Sequence, residues 1–329
     1  MLKVLFIGGT GIISSACSEL ALERGLDLYV LNRGQSFRPT PVGAKILHGD
    51  IRNPDSVRSA LGDLQFDAVV NWIAFTPEHI ETDLGLFNGR THQYIFISSA
   101  SAYQTPPVQL PVTESTPLHN PHWAYSRAKI ACEERLMQAY RQDGFPMTIV
   151  RPSHTCDKTL LPMEGGYTVV NRMRQGKKVI VHGDGSSLWT LTHHRDFAKA
   201  FVGLLGNSHA LGETFHITGD ELLTWNQIFA LVARAAGAEA NIVHIPSDFI
   251  ARFDPEWGAS LLGDKTHSMI FDNSKIKRAV PDFVAAIPFS QGVREIMAWY
   301  DEDPSRQTIN TDLDRLMDDI IQAYEAALP

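Results

Sequence analysis

Lys3-Val4-Leu5-Phe6-Ile7-Gly8-Gly9-Thr10-Gly11-Ile12-Ile13-Ser14 decides the fold. An apolar run of strand length, Lys3–Ile7, enters three glycines, and a helical stretch, Ser15–Glu23, follows. Glycines allow a tight turn and let backbone N–H groups approach a ligand, while the next helix offers its positive N-terminus to an anion. The alternative is a bare strand–helix turn. The placement between a hydrophobic strand and a helix favours a seat for the pyrophosphate of a dinucleotide. The contacts would be Gly8, Thr10, Gly11, Ile12 and Ile13. Ser14 falls where a third glycine would stand, and a small residue still permits close packing of helix on sheet.

Outward from this loop, further apolar runs occur at Leu28–Leu31, Ala68–Trp72, Tyr94–Ile97 and Met147–Val150. They do not alternate polar with apolar, which suits strands of a parallel sheet covered on both faces. Helical stretches such as Ser56–Leu61 lie between them, so the first half predicts a doubly wound α/β fold. The second half is less regular. Prolines punctuate the loop before a helix at Ala124–Arg141, further helices are expected at Trp225–Ala236 and Asp312–Ala326, and the halves meet softly near residue 155. We expect a dinucleotide-binding domain over 1–155 and a smaller α/β substrate-binding domain over 156–329, with segments free to return to the sheet.

The second strand should end in an acidic residue if the cofactor is NAD. Here it ends in Asn32-Arg33-Gly34. Asn32 can bond a 2′-hydroxyl, and Arg33, with help from Arg38, can meet a 2′-phosphate or stack on adenine. The cofactor is therefore NAD or NADP, with the lean to NADP.

Tyr125-Ser126-Arg127-Ala128-Lys129 places Tyr125 and Lys129 one turn apart on one helix face. A tyrosine with a pKa of about 10 is a poor base at neutral pH. A lysine cation nearby, with a nicotinamide ring, would favour the phenolate, which could take a proton from a substrate hydroxyl. The pair alone proves little. Its company matters: the strand Tyr94–Ile97 ends in Ser98-Ser99-Ala100-Ser101-Ala102-Tyr103, and hydroxyls at the carboxyl end of a parallel strand sit where ligands bind in such sheets. Ser99 could hydrogen-bond the reacting oxygen.

Composition narrows the classes. The 329 residues are 44% hydrophobic and 20% charged, and 29 basic against 37 acidic residues give a net charge of −8. An acidic excess argues against nonspecific binding to nucleic acid or to anionic membranes. Cys17, Cys132 and Cys156 show neither disulfide nor zinc spacing, which fits a reducing cytoplasm. No apolar run reaches the ~18 residues of a membrane span, and the opening run is too short for a signal peptide. His193-His194 tempts a metal reading, but neighbours on a strand point to opposite faces, and no metal is expected.

The glycine loop, the strand-end serines and Tyr125/Lys129 together resemble the extended short-chain dehydrogenases/reductases of the NAD-dependent epimerase/dehydratase group. The resemblance spans nearly the whole chain and implies a Rossmann domain. It extends to Gly49-Asp50-Ile51-Arg52, Asn71-Trp72-Ile73-Ala74, Arg151-Pro152-Ser153-His154, Gly183-Asp184-Gly185 and Asp196. It implies Ser99, Tyr125 and Lys129 as the catalytic trio, with Lys129 also on the nicotinamide ribose. It implies Asp50 and Ile51 on adenine, and Trp72, Ile73, Ala74, Ile97, Pro152 and Ser153 along the cofactor. His154 would take a substrate-contact position. Two departures are informative. Ala100-Ser101 stands where dehydratases carry an Asp-Glu pair, so the apparatus for eliminating water is missing. Trp189 stands where an arginine would hold a nucleotide diphosphate; Arg195 or Arg172 could substitute, and Trp189 could stack on a sugar or pack in the core.

The function expected on this resemblance is NAD(P)-dependent chemistry at a carbinol carbon of a sugar or nucleotide-sugar, foremost epimerisation through a keto intermediate. A sugar dehydrogenase or ketoreductase would use the same residues. The Asn32-Arg33-Gly34 ending and Leu223-Thr224-Trp225 also resemble the stem-loop-binding branch, a non-enzymatic RNA-binding alternative that the acidic charge and intact trio oppose. The family commonly forms homodimers through helices such as Ala124–Arg141.

Overall fold

The computed structural model describes residues 1–36 and 38–327. Its centre is a seven-stranded parallel sheet of β1 (Lys3–Ile7), β2 (Asp27–Asn32), β3 (Lys45–His48), β4 (Ala68–Asn71), β5 (Tyr94–Ile97), β6 (Met147–Pro152) and, much later, the strand Thr214–Ile217. The spatial order is Thr214–Ile217, β6, β5, β4, β1, β2, β3. The chain winds outward from β1 through β2 and β3, then crosses to β4 on the other side, so the direction of winding switches between β1 and β4. Such a switch leaves a crevice at the carboxyl ends of the two strands. Register fixes what meets there: Ile7 lies level with Leu31 on one side and with Asn71 on the other. Residues 8, 32 and 72 therefore sit level with one another at one edge of the sheet.

The uniformly apolar strands are buried on both faces as their sequence requires. Val4, Phe6, Val30, Val70 and Ile95 face one core layer, and Leu5, Ile7, Val69, Phe96 and Ile149 face the other. The covering helices include α1 (Ile12–Glu23), α2 (Pro54–Leu61), α3 (Pro77–Phe87) and α4 (Ala124–Asp143). In the first half, β3 and α3 escaped the sequence reading. β3 is an edge strand whose Lys45, Ile46 and His48 are exposed, so it lacks the continuous apolar run of its neighbours. α3 starts after Thr76 with Pro77 in its first turn, where a proline's missing N–H costs nothing.

The division near residue 155 is not a single cut. The helix His194–Leu204 packs on α1, and Thr214–Ile217 pairs with β6, so this segment belongs to the sheet domain. The smaller unit has its own core of Val179, Val181, Trp189, Trp225, Ile296 and Ile320, around a two-stranded parallel pair of Lys178–His182 with Asn241–Ile245. Its last two residues, 328 and 329, lie outside the described ones. No helix among the described residues is long and apolar enough to cross a membrane.

Candidate active site

A cleft of about 820 Å³ opens at the carboxyl edge of the sheet, between the two units. One end is the glycine loop. Gly8 and Gly9 turn with φ of 103° and 92°, which only glycine adopts without strain. Gly11 is extended and caps α1, and Ser14 reaches back so that its hydroxyl accepts from Gly11 N–H at 2.8 Å. The place of the third glycine is thus used for a cap, and the next N–H groups of the first turn of α1 face the cleft without intrahelical partners. Thr10 donates to Ser36 at 3.1 Å, which ties the loop after β2 to the glycine turn. On the wall beside Gly8, the indole N–H of Trp72 is buried with no hydrogen-bond partner among the described residues. A glycine cradle at a helix N-terminus and an orphaned donor on the same wall fit a dinucleotide.

The expected cofactor residues divide in two. Gly8, Thr10, Gly11, Ile12, Ile13, Trp72, Ile73, Ile97, Tyr125, Lys129, Pro152 and Ser153 line the cleft, and so does Gly9, which the sequence reading left out. Asn32, Arg33, Asp50, Ile51 and Ala74 do not. Asn32 uses its side-chain Oδ1 to accept from Gly34 N–H at 2.8 Å. Arg33 leans on Asp50 at 3.9 Å, and both are well exposed. Ile51 is buried in the core between β2 and α2 rather than presented to a ligand. Ala74 contributes its carbonyl, as described below. Arg38, named as a helper for a 2′-phosphate, lines the cleft but is ion-paired with Asp157 at 2.6 Å and bonded to Thr159.

Ser99, Tyr125 and Lys129, the expected trio, line the same cleft. Tyr125, Lys129 and Glu133 stand at four-residue steps along α4 and share one face. Lys129 is 2% exposed, and its ammonium donates to the carbonyls of Ala74 and Ile97 at 2.7 Å each. Burial lowers it to about 8. The ammonium sits 5.8 Å from the centre of the Tyr125 ring. Burial raises the Tyr125 phenol, a hydrogen bond from Ser99 opposes the rise, and the carboxylate of Asp264 adds to it. Within the chain alone, desolvation outweighs the hydrogen bond from Ser99.

Ser99 is positioned by a hydroxyl relay. Ser126 donates to Ser101 Oγ at 2.8 Å, Ser101 Oγ lies 2.9 Å from Ser99 Oγ, and Ser101 N–H also donates to Ser99 Oγ at 3.2 Å. With Ser101 N–H donating to its oxygen, Ser99 can aim its own proton outward, toward the phenol and the reacting position. Ser98, by contrast, is buried against Glu133, whose carboxylate also takes Arg151 Nε at 2.9 Å. This network locks α4 to the ends of β5 and β6.

The far half of the cleft is aromatic and polar. His154 lines it, and its Nδ1 accepts from the Trp189 indole at 3.3 Å, which puts the ring proton on Nε2. Burial lowers His154 to about 3, so it stays neutral. Trp189 lines the cleft and also packs on Trp225 at 5.6 Å in the core, the second of the two roles foreseen for it. Trp123, Asp264, Lys265, Met269 and Phe271 complete this half, and none was legible as a site in the sequence. The one local sign of Asp264 is conformational: it sits in a π-helical turn, Leu261–Lys265, a form frequent at functional positions. The arginines named as replacements for a diphosphate holder are engaged elsewhere: Arg195 with Glu295 at 2.6 Å, and buried Arg172 with Asp314 and Asp318 at 2.6 Å each. His193 and His194 are also placed differently than expected. The chain passes from strand to helix between them, so their rings lie 4.7 Å apart, and His193 bonds Glu295 at 3.2 Å. Among the described residues no cluster of three or more metal-ligating side chains forms.

A doubly wound sheet with a glycine cradle at its switch point and a Ser-Tyr-Lys trio across the cleft is the arrangement of an extended short-chain dehydrogenase/reductase. The chain belongs to the NAD dependent epimerase/dehydratase family, whose model matches residues 4–218. It is 30% identical over 264 residues to the chloroplast stem-loop binding protein of 41 kDa b of Arabidopsis thaliana, covering 75% of this chain and 67% of that one. It is 31% identical over 168 residues to a UDP-glucose 4-epimerase of Lactobacillus helveticus, covering 46% of this chain and 51% of that protein. Its fold is similar to that of the UDP-glucose 4-epimerase of Bifidobacterium longum, solved with NAD+ and UDP, with a TM-score of 0.73, 19% identity, and coverage of 92% and 99% of the two chains.

Proposed function

We propose that this protein epimerises a carbinol carbon of a sugar or nucleotide-sugar through a keto intermediate, with a nicotinamide dinucleotide retained in the cleft. The observation that carries the reading is that Ser99, Tyr125 and Lys129 line the same cleft as the glycine loop. A nicotinamide bound there supplies the oxidant for the carbinol carbon and returns what it took. The chain does the rest. Tyr125 removes the proton of the substrate hydroxyl and later restores it. Ser99 donates to the oxygen on which charge develops. Lys129, fixed by two carbonyls, holds a positive charge one turn from the phenol and would hold the ribose of a bound dinucleotide. Among the described residues no Asp-Glu pair follows Ser99, so the reading stops at redox and does not extend to elimination of water. A net sugar dehydrogenase would use the same groups. The two differ in whether reduced nicotinamide accumulates in step with product.

The test is Tyr125→Phe. Turnover of the holoenzyme should fall about 10²–10⁴-fold while dinucleotide binding persists; undiminished turnover in the variant refutes the reading. The likeness to the stem-loop binding protein favours a second reading, RNA binding. An RNA stem-loop shifted at physiological salt by wild type and Tyr125→Phe alike would support it.

A further inference from the structure

We propose that Asp264 is the residue by which the site selects its substrate ring: its carboxylate accepts a hydroxyl neighbouring the one on which Tyr125 acts, and so admits an uncharged polyol ring and rejects one carrying carboxylate or phosphate there. The inference rests on the redox reading for the identity of the neighbouring hydroxyl, but not for the placement of the carboxylate.

The placement is built, not incidental. Asp264 stands on the π-helical turn Leu261–Lys265, and that turn is pinned to the catalytic helix by buried Asn120. Asn120 Nδ2 donates to Gly263 carbonyl at 2.6 Å and to Ser101 carbonyl at 3.0 Å, while its Oδ1 accepts from Trp123 N–H at 2.9 Å. One side chain therefore holds together the turn bearing Asp264, the serine turn bearing Ser99, and the start of the helix bearing Tyr125. The turn also approaches so closely that a Cβ on Gly263 would lie 2.8 Å from Trp123 Cβ. The result brings the Asp264 charge near enough to raise the Tyr125 phenol.

The Asp264 side chain is 16% exposed, and it lines the cleft. Its nearest cation is Lys265, whose Nζ is 3.6 Å from Oδ2 and 5.3 Å from the centre of the Trp123 ring. A carboxylate has room for several donors. Here burial has stripped its water, which raises it to about 6 and makes a donor from a ligand more valuable. The same cleft is lined by Trp123, Trp189 and Phe271, flat surfaces suited to the C–H face of a sugar, and by His154 with a proton on Nε2. Acceptor, donor and apolar wall are what a hydroxylated ring needs. A second negative charge beside Asp264 would be repelled.

The test measures binding to the holoenzyme of paired probes, D-glucose against D-glucuronate and UDP-glucose against UDP-glucuronate, by calorimetry at pH 7.5. Wild type should bind at least one neutral member about tenfold or more tightly than its acidic partner. Asp264→Asn should weaken the neutral member and strengthen the acidic one, so that the preference collapses. Asp264→Ser serves as a second variant if the amide does not fold. Equal binding of both members by wild type, binding of neither pair, or an unchanged preference in the variants overturns the proposal. Failure of the redox reading is distinguishable: Tyr125→Phe would then keep its turnover while the preference still followed residue 264.

Discussion

Glu133→Gln offers the sharpest test of how the site is held. The Glu133 carboxylate and the Arg151 guanidinium are 4% and 5% exposed, and two parallel hydrogen bonds join them. The Ser98 hydroxyl donates to the same carboxylate, and Arg151 stacks 4.6 Å from the centre of the Tyr103 ring. The amide keeps the shape of glutamate but removes the charge and turns an N–H donor toward donors. A buried guanidinium is left without a counterion, at a cost of about 3–5 kcal/mol. For 329 residues, an unfolding entropy of about 2.1 cal/mol/K per residue sums to about 0.7 kcal/mol/K, so the melting temperature should fall by about 4–7 °C. Scanning calorimetry of wild type, Glu133→Gln and the paired change Glu133→Met with Arg151→Met reads this directly. The paired variant removes both charges and should recover most of the loss. A fall of less than about 1 °C in the single variant, or a paired variant as unstable as the single one, would refute the reasoning. The loss should also reach catalysis, because Glu133 lies one turn beyond Lys129 on α4.

Two further outcomes follow from the sheet edge. Asp83 is buried and raised to about 7, chiefly by desolvation, against the pull of hydrogen bonds from Tyr94 and Asn71. A carboxyl raised on folding stabilises most fully below its unfolded value of about 4, and that stabilisation is lost as pH rises through about 7. Wild type should therefore lose stability between pH 4 and 7 with a slope about one proton steeper than Asp83→Asn, and parallel slopes in urea titrations would contradict this. Gly9→Ala places a Cβ at a φ of 92° and 3.2 Å from Val30 Cγ1, a strain of about 1–2 kcal/mol or more. NAD+ affinity should drop about tenfold in this variant but much less in Gly11→Ala, whose φ of −78° suits any residue. Equal losses would show that backbone conformation is not what the loop demands.

The local sequence determined the sheet strands that are buried on both faces, because such strands must be apolar throughout, and it determined the glycine turn and the Tyr125–Lys129 spacing, because both are properties of a few consecutive residues. Ser99 was legible as a hydroxyl at a strand end, but its separation from Ser98 and Ser101 in role was decided by Glu133 and Ser126, which reach those two serines from α4. The edge strand β3 was hidden because solvent on both sides relaxes the demand for apolar residues. The return of Thr214–Ile217 to the sheet was hidden because nothing near those residues names β6 as the partner. Asp264 shows the limit most clearly. A lone aspartate in Leu261–Lys265 carries no motif, and it comes within electrostatic reach of Tyr125, 139 positions away, where Asn120 bonds the two segments together. Chemistry written at fixed spacing could be read along the chain; chemistry assembled across the cleft existed only once the chain had folded.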